Sequence, residues 1–113
     1  MIHVYVDDMR PCPAGFVLAR SMEECLLLLM ESDVHVLSLD HDLGWNEPNG
    51  TDLVKQMVVR HLYAKEIYLH SSDPLARQQM YQILYMHKPD DVKLFNHPVP
   101  IQTLEWIRKV KSS

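Results

Sequence analysis

Val36-Leu37-Ser38-Leu39 is a run of strand length broken only by a small serine, and it stops abruptly at Asp40-His41-Asp42-Leu43-Gly44. A strand that is apolar on both faces has to be covered on both, which points to a parallel sheet between helices rather than an antiparallel sheet with one wet face. Open sheets of that kind bind ligands just beyond the carboxyl ends of their strands. The step from apolar to acidic at Asp40 therefore marks the end of a central strand and the place to look for chemistry. If the backbone stays extended through residue 42, Asp40 and Asp42 point to one side with their Cα atoms roughly 7 Å apart, and His41 points to the other. Two carboxylates converging on one loop repel each other unless a cation or a proton offsets the charge, so the segment predicts a metal site or a raised pKa.

The rest of the chain agrees with such a sheet. Ile2-His3-Val4-Tyr5-Val6 is β-branched and aromatic, reads as a first strand, and also ends in acids, Asp7-Asp8. Ser21-Met22-Glu23-Glu24 matches a capping box, and Met22, Cys25, Leu26, Leu29 and Met30 then follow the spacing of one buried helix face. After the turn-rich segment Trp45 to Gly50, with Asn49 or Thr51 as cap, Leu53, Val54, Met57, Val58 and Leu62 mark a second helix. Ile67-Tyr68-Leu69 reads as a strand running into His70-Ser71-Ser72, and Asp73-Pro74 opens a third helix. Val92 to Phe95 makes another strand, and a final helix turns Ile101, Leu104, Ile107 and Val110 inward. The expected fold is α/β, a mainly parallel sheet with helices on both faces. One helix is missing. Only about seven residues separate Asp8 from Phe16, whereas a parallel crossover takes a dozen or more. Phe16 to Arg20 is therefore expected to be a short edge strand that pairs antiparallel, or a segment running over the surface.

Composition narrows the function. A chain of 113 residues is expected to be a single domain, residues 1–113. Eleven Lys and Arg stand against fifteen Asp and Glu, with a net charge of −4, which argues against an extended face for duplex nucleic acid. A local contact with a phosphate-ester small molecule or an RNA end remains compatible. Cys12 and Cys25 lack the C-x-x-C spacing of a zinc or redox motif, and no apolar run approaches the roughly 20 residues of a membrane span, so a reduced, cytoplasmic protein is expected. Tyr81, Tyr85 and Trp106 on the last two helices offer a face for a homodimer. No P-loop, G-x-G-x-x-G, nucleophile elbow or H-E-x-x-H occurs.

Candidate site residues follow from the strand ends. Asp7, Asp8, Asp40 and Asp42 offer hard oxygen ligands, which favour Mg²⁺ or Mn²⁺. Arg10, two residues past the acid pair, can meet a phosphate with a bidentate guanidinium. His70 at a strand end is placed as a proton donor or metal ligand.

Acids after the first strand, an acid after the central strand and a hydroxyl after the next resemble the pattern of response-regulator receiver domains. That resemblance implies that Asp7 and Asp8 hold Mg²⁺, that Asp40 accepts a phosphoryl group, and that Ser71 or Ser72 contacts its oxygens. Asp42 is a rival acceptor, because its spacing to Gly50 fits the receiver loop better. His97 stands before Pro98 where receivers carry a lysine, which makes it a candidate leaving-group acid or phosphate contact. The combination of Asp7-Asp8-Met9-Arg10, Asp40-His41-Asp42-Leu43-Gly44 and His70-Ser71 is more similar to a divergent branch, the cyclic-phosphate-processing receiver domains. This implies a receiver or flavodoxin-like fold and metal-assisted hydrolysis of a cyclic phosphate, at an RNA 2′,3′-cyclic end or in a cyclic nucleotide. The alternatives are a phospho-accepting signalling receiver and a non-catalytic pseudo-receiver that binds a partner.

Overall fold

Ile2–Val6 forms strand β1, and its alternation sends Val4 and Val6 to one face of the sheet and Tyr5 to the other. The computed structural model describes residues 1–112, with side chains through residue 110. After β1 come β2 (Val17–Ala19), α1 (Met22–Glu31), β3 (Val34–Leu39), α2 (Gly50–Arg60), β4 (Glu66–Leu69), α3 (Pro74–His87), β5 (Lys93–Phe95) and α4 (Ile101–Ser112). The five strands lie in the order β2-β1-β3-β4-β5, and every neighbouring pair is parallel.

The caps match local chemistry. Ser21 accepts from the Glu24 amide at the start of α1, although the Glu24 carboxylate answers the Arg20 amide rather than that of Ser21. Asn49 and Asp52 form a reciprocal capping box on α2, and Asp73 caps α3 ahead of Pro74. One core cluster joins α1, α2 and α3 to one face of the sheet through Cys25, Leu26, Leu53, Met57, Met80 and Leu84, against Val4, Val6, Leu37, Leu39, Ile67 and Leu69. A smaller cluster on the opposite face packs Ile107 of α4 on Val36, Tyr68 and Val99, with Phe16, Phe95 and Leu104 at its margin. Helices thus cover both faces, three on one and one on the other. Ile101 and Val110 are exposed rather than inward, because α4 meets so small a patch of sheet that only the middle of its apolar stripe finds cover.

No helix connects β1 to β2, as the sequence predicts, but the edge strand corrects the expectation about its direction. Val17–Ala19 pairs parallel to Val4–Val6, neither antiparallel nor loose on the surface. The minimum length of a crossover assumes a full strand to climb back along. Here β2 has only 3 residues, or about 10 Å of strand, and an extended connection of residues 7 to 16 reaches about 30 Å. The connection turns at Pro13 to Phe16, where the Phe16 amide donates to the Pro13 carbonyl and Gly15 adopts φ 90°. Phe16 then lies near the His3 and Tyr5 rings and covers sheet that a crossover helix would otherwise hide.

Among the described residues, no helix is long and apolar enough to cross a membrane.

Candidate active site at the strand ends

Strand register assembles the site. Tyr5, Ser38 and Tyr68 are aligned across β1, β3 and β4. Because side chains alternate with a period of two, residues two further along return to the same face and level. Those residues are Asp7, Asp40 and His70. Each is held by its neighbour although the strands formally end earlier: the Asp7 amide donates to Ala19, that of Asp40 to Val6, and that of His70 to Leu39. One ligand atom from each of the three side chains lies within 4.8 Å of the others. The site therefore sits where β1, flanked by β2 and β3, marks the reversal of strand order, the expected crevice of an open α/β sheet.

Asp7 is the organising charge. Its side chain is 1% exposed. Its Oδ1 accepts the Met9 and Arg10 amides, both at 2.9 Å, and its Oδ2 accepts Arg10 Nη1 at 3.1 Å and His70 Nε2 at 3.0 Å. Burial alone would push this carboxyl up, but the two amides, His70 and Arg10 together outweigh it and hold the pKa below the usual aspartate value. An ionised Asp7 places the His70 proton on Nε2, so Nδ1 accepts from the Ser38 hydroxyl at 2.6 Å. Tyr5 stacks on the imidazole with centroids 4.3 Å apart. Burial pushes the His70 pKa down, only partly opposed by Asp7, which keeps the ring neutral.

For His70 the hydrogen bonds bear on proton donation alone, since its ring also lies with Asp7 and Asp40 in one cluster of ligand atoms. With both nitrogens engaged and its side chain 5% exposed, it has no proton to offer a ligand and instead fixes Asp7.

Asp40 has the opposite environment. Burial raises its pKa, Asp7 and Asp8 add to the rise, and the His41 amide and Arg10 oppose it. Its Oδ1 accepts the His41 amide at 2.8 Å, but its Oδ2 has only Arg10 Nη1 at 3.7 Å. A cleft of about 500 Å³ opens above, lined by Asp7, Asp8, Arg10, Asp40, His41 and Asp42, with Gly44, Glu47, Asn49, Ser71, Ser72 and Asp73 around its rim.

The other predicted residues fall as follows. Asp42 does not converge with Asp40, because the chain leaves the strand at Leu39; its Oδ1 accepts the Gly44 amide of its own turn, and it is exposed at the wall of the cleft. The same turn brings His41 to the cleft, against the expectation that it faces away. Sequence alternation misled here because it applies only while the backbone stays extended. Ser71 is buried at the wall, accepts the Asp73 amide on Oγ, and has its carbonyl held by Arg77 Nη1 at 2.9 Å. Ser72 is exposed at the rim. His97 is not among the lining residues; its ring is exposed with Nδ1 2.7 Å from the Pro98 carbonyl, because the loop after β5 runs back over β4 and its carbonyl takes the Leu69 amide. Glu47, Asn49 and Asp73 were not anticipated at the site, and two of them were legible only as helix caps.

The donors fit a hard divalent cation in part. Asp40 offers a buried carboxylate oxygen with no close donor, and Asp8 Oδ2 lies over Gly44 on the same wall. Asp7, by contrast, already accepts four hydrogen bonds, and Arg10 fills the gap between it and Asp40. The cleft carries six carboxylates (Asp7, Asp8, Asp40, Asp42, Glu47, Asp73) against one guanidinium, so an anionic ligand would meet net repulsion without a further cation.

Gly50 supports the turn from beneath. A Cβ there would lie 2.4 Å from the Asp40 carbonyl, 2.7 Å from Met80 Cε and 2.8 Å from His41 Cα, and the Gly50 amide donates to His41 at 2.7 Å. Gly50→Ala is expected to destabilise the fold by about 1–3 kcal/mol through overpacking and to displace Asp40 and His41. Chemical denaturation measures the first effect; the amide NMR shifts of residues 40 to 44 report the second.

Compared with known protein families, residues 2–86 match the model of the Cyclic-phosphate processing Receiver domain. A search of curated proteins found no match.

Proposed function

From the premise that this chain belongs to the cyclic-phosphate processing receiver domain family, we propose that its cleft opens cyclic phosphate esters by cation-assisted hydrolysis, with a 2′,3′-cyclic phosphate at an RNA end or a cyclic nucleotide as substrate. The observation that carries this reading is the convergence of Asp7, Asp40 and Arg10 at the floor of an acidic cleft. Asp40, with Asp7 on one side and Asp8 near the opposite wall, would hold Mg²⁺ or Mn²⁺, and Asp42 lines the same cleft. Bound there, the ion would supply charge neutralisation on the phosphoryl oxygens and a water of lowered pKa.

The chain's own residues supply the rest. Arg10, half-exposed, can present its fork to the two non-bridging oxygens of the diester. The Ser71 hydroxyl, which accepts from Asp73, keeps its proton to donate to one of them. In the reaction water adds to phosphorus, one ribose oxygen leaves, and that oxygen takes up a proton. His41, which lines the cleft where His70 and His97 do not, donates that proton. His70 serves as a positioning residue by fixing Asp7, which in turn anchors the Arg10 backbone.

The test is turnover of RNA oligonucleotides with 2′,3′-cyclic ends, and of 2′,3′- and 3′,5′-cyclic mononucleotides, in Mg²⁺, Mn²⁺ or EDTA. Opening of at least one substrate class, abolished by EDTA, is expected. No turnover across the panel, together with a hydroxylamine-labile adduct after incubation with acetyl phosphate and Mg²⁺, would replace the enzyme by a phospho-accepting receiver. No turnover, no adduct and no metal binding would leave a pseudo-receiver.

A further inference from the structure

We propose that Arg10 is the built-in counter-ion of this site and that a divalent cation trades places with it: entry of the metal turns the guanidinium out of the Asp7–Asp40 gap and into the cleft, where it meets the ligand's phosphate. The inference rests on the cation-assisted reading above and adds that metal and anion bind cooperatively through one arginine.

The geometry carries the argument. Nη1 of Arg10 stands 3.1 Å from Asp7 Oδ2 and 3.7 Å from Asp40 Oδ2, so it occupies the position from which a cation would neutralise both carboxylates. Two positive groups cannot share that gap without strong repulsion at close range. The side chain is able to leave. Its own amide is tied to Asp7 Oδ1 at 2.9 Å, so the turn stays closed when the guanidinium departs, and the side chain is already 48% exposed. Asp7 keeps three donors in its absence, the Met9 and Arg10 amides and His70. Asp40 is the group that gains most from the exchange, because it is buried and its Oδ2 has only the long contact to Arg10.

The direction of the released side chain follows from charge and packing. Arg10 lines the cleft itself, and behind it lie the buried Asp7 and His70. A guanidinium displaced from the floor therefore swings outward over the cleft. Without the metal the cleft guanidinium of Arg10 is committed to carboxylates, and an entering phosphate meets mostly negative charge. With the metal bound, the same side chain becomes an anion ligand. By linkage, phosphate must then tighten metal binding by the factor by which metal tightens phosphate binding.

The experiment is Mn²⁺ titration by calorimetry of the wild-type chain, Arg10→Ala and Arg10→Gln, each with and without inorganic phosphate. Gln keeps a donor and part of the length while removing the charge, so it guards against a folding defect in Ala. Both variants are expected to bind Mn²⁺ about tenfold more tightly than wild type, within the usual 5–150-fold range of site coupling. Phosphate is expected to tighten Mn²⁺ binding several-fold in wild type and not in the variants. Variants that bind Mn²⁺ no tighter than wild type, or that keep the phosphate effect, would overturn the exchange while leaving the cation site standing. Absence of Mn²⁺ binding in all three chains would remove the cation site and the exchange together.

Discussion

Asp40→Asn is expected to cripple turnover and abolish Mn²⁺ binding while leaving the protein as stable as wild type or more so. The two effects have one cause. Asp40 is 7% exposed, and burial raises its pKa with help from Asp7 and Asp8. A group whose folded pKa lies above its unfolded value, here 3.8, favours folding below that value and loses the contribution as pH rises through the folded pKa. At neutral pH the ionised carboxylate is thus a cost to the fold, and asparagine removes it with nearly the same shape. The cation has then lost its buried oxygen anion. Turnover is expected to fall by about 10²–10³, the usual size of losing one preorganised electrostatic contact at a reacting centre. Thermal melts with and without Mn²⁺ separate the alternatives. Wild type should melt higher with the ion, and Asp40→Asn should not respond. A variant that melts well below wild type yet keeps the Mn²⁺ shift would show that Asp40 is structural and that the ion sits elsewhere.

Asp7→Ala should damage the fold about as much as emptying a fully buried core position. It strands the Met9 and Arg10 amides, the Arg10 guanidinium and the Nε2–H of His70 in or beside a buried site. Removing one partner from a buried, fully bonded ionic group costs about 3–5 kcal/mol, a large share of the stability of a small domain. Asp7→Asn should cost less, because it keeps one acceptor oxygen but turns an amide donor toward other donors. The same network sets the acid limb of stability. Burial lowers the His70 pKa from 6.5, so its contribution is present above 6.5 and is lost as pH falls through the lower folded value. Asp7, held below 3.8 in the fold, loses its contribution in a second, more acidic range. Asp40 contributes with the opposite sign as pH falls, so the reading is comparative: from pH 7 to 5, His70→Gln should lose less melting temperature than wild type. A variant that keeps the wild-type slope between pH 7 and 5 would assign the loss to another group.

The exchange inferred for Arg10 fits both expectations. Asp7 is satisfied by four donors even before a cation enters, whereas Asp40 has an oxygen left over for the proposed cation. Two aspartates at matching strand ends differ because one received four donors and the other received one amide and a distant guanidinium.

What the sequence by itself determined was whatever depends on local periodicity: the strands, the buried helix faces, the caps at Ser21, Asn49 and Asp73, the missing first crossover helix, and the acidic ends of β1 and β3. The pleat also implied which residues share a face, once register was known. Register itself came only from the tertiary structure, because which residue of β1 stands beside which of β3 and β4 is decided by pairing across tens of residues. That pairing brought Asp40 rather than Asp42 beside Asp7 and closed His70 onto Asp7 and Ser38, while the turn after Leu39 brought His41 to the cleft and the loop after β5 left His97 outside the lining. Tertiary packing likewise made β2 parallel, since three residues of edge strand are short enough for an extended loop to climb back along. A strand announces itself through the alternation of its own residues, but the charge balance of a site belongs to atoms that only folding brings together.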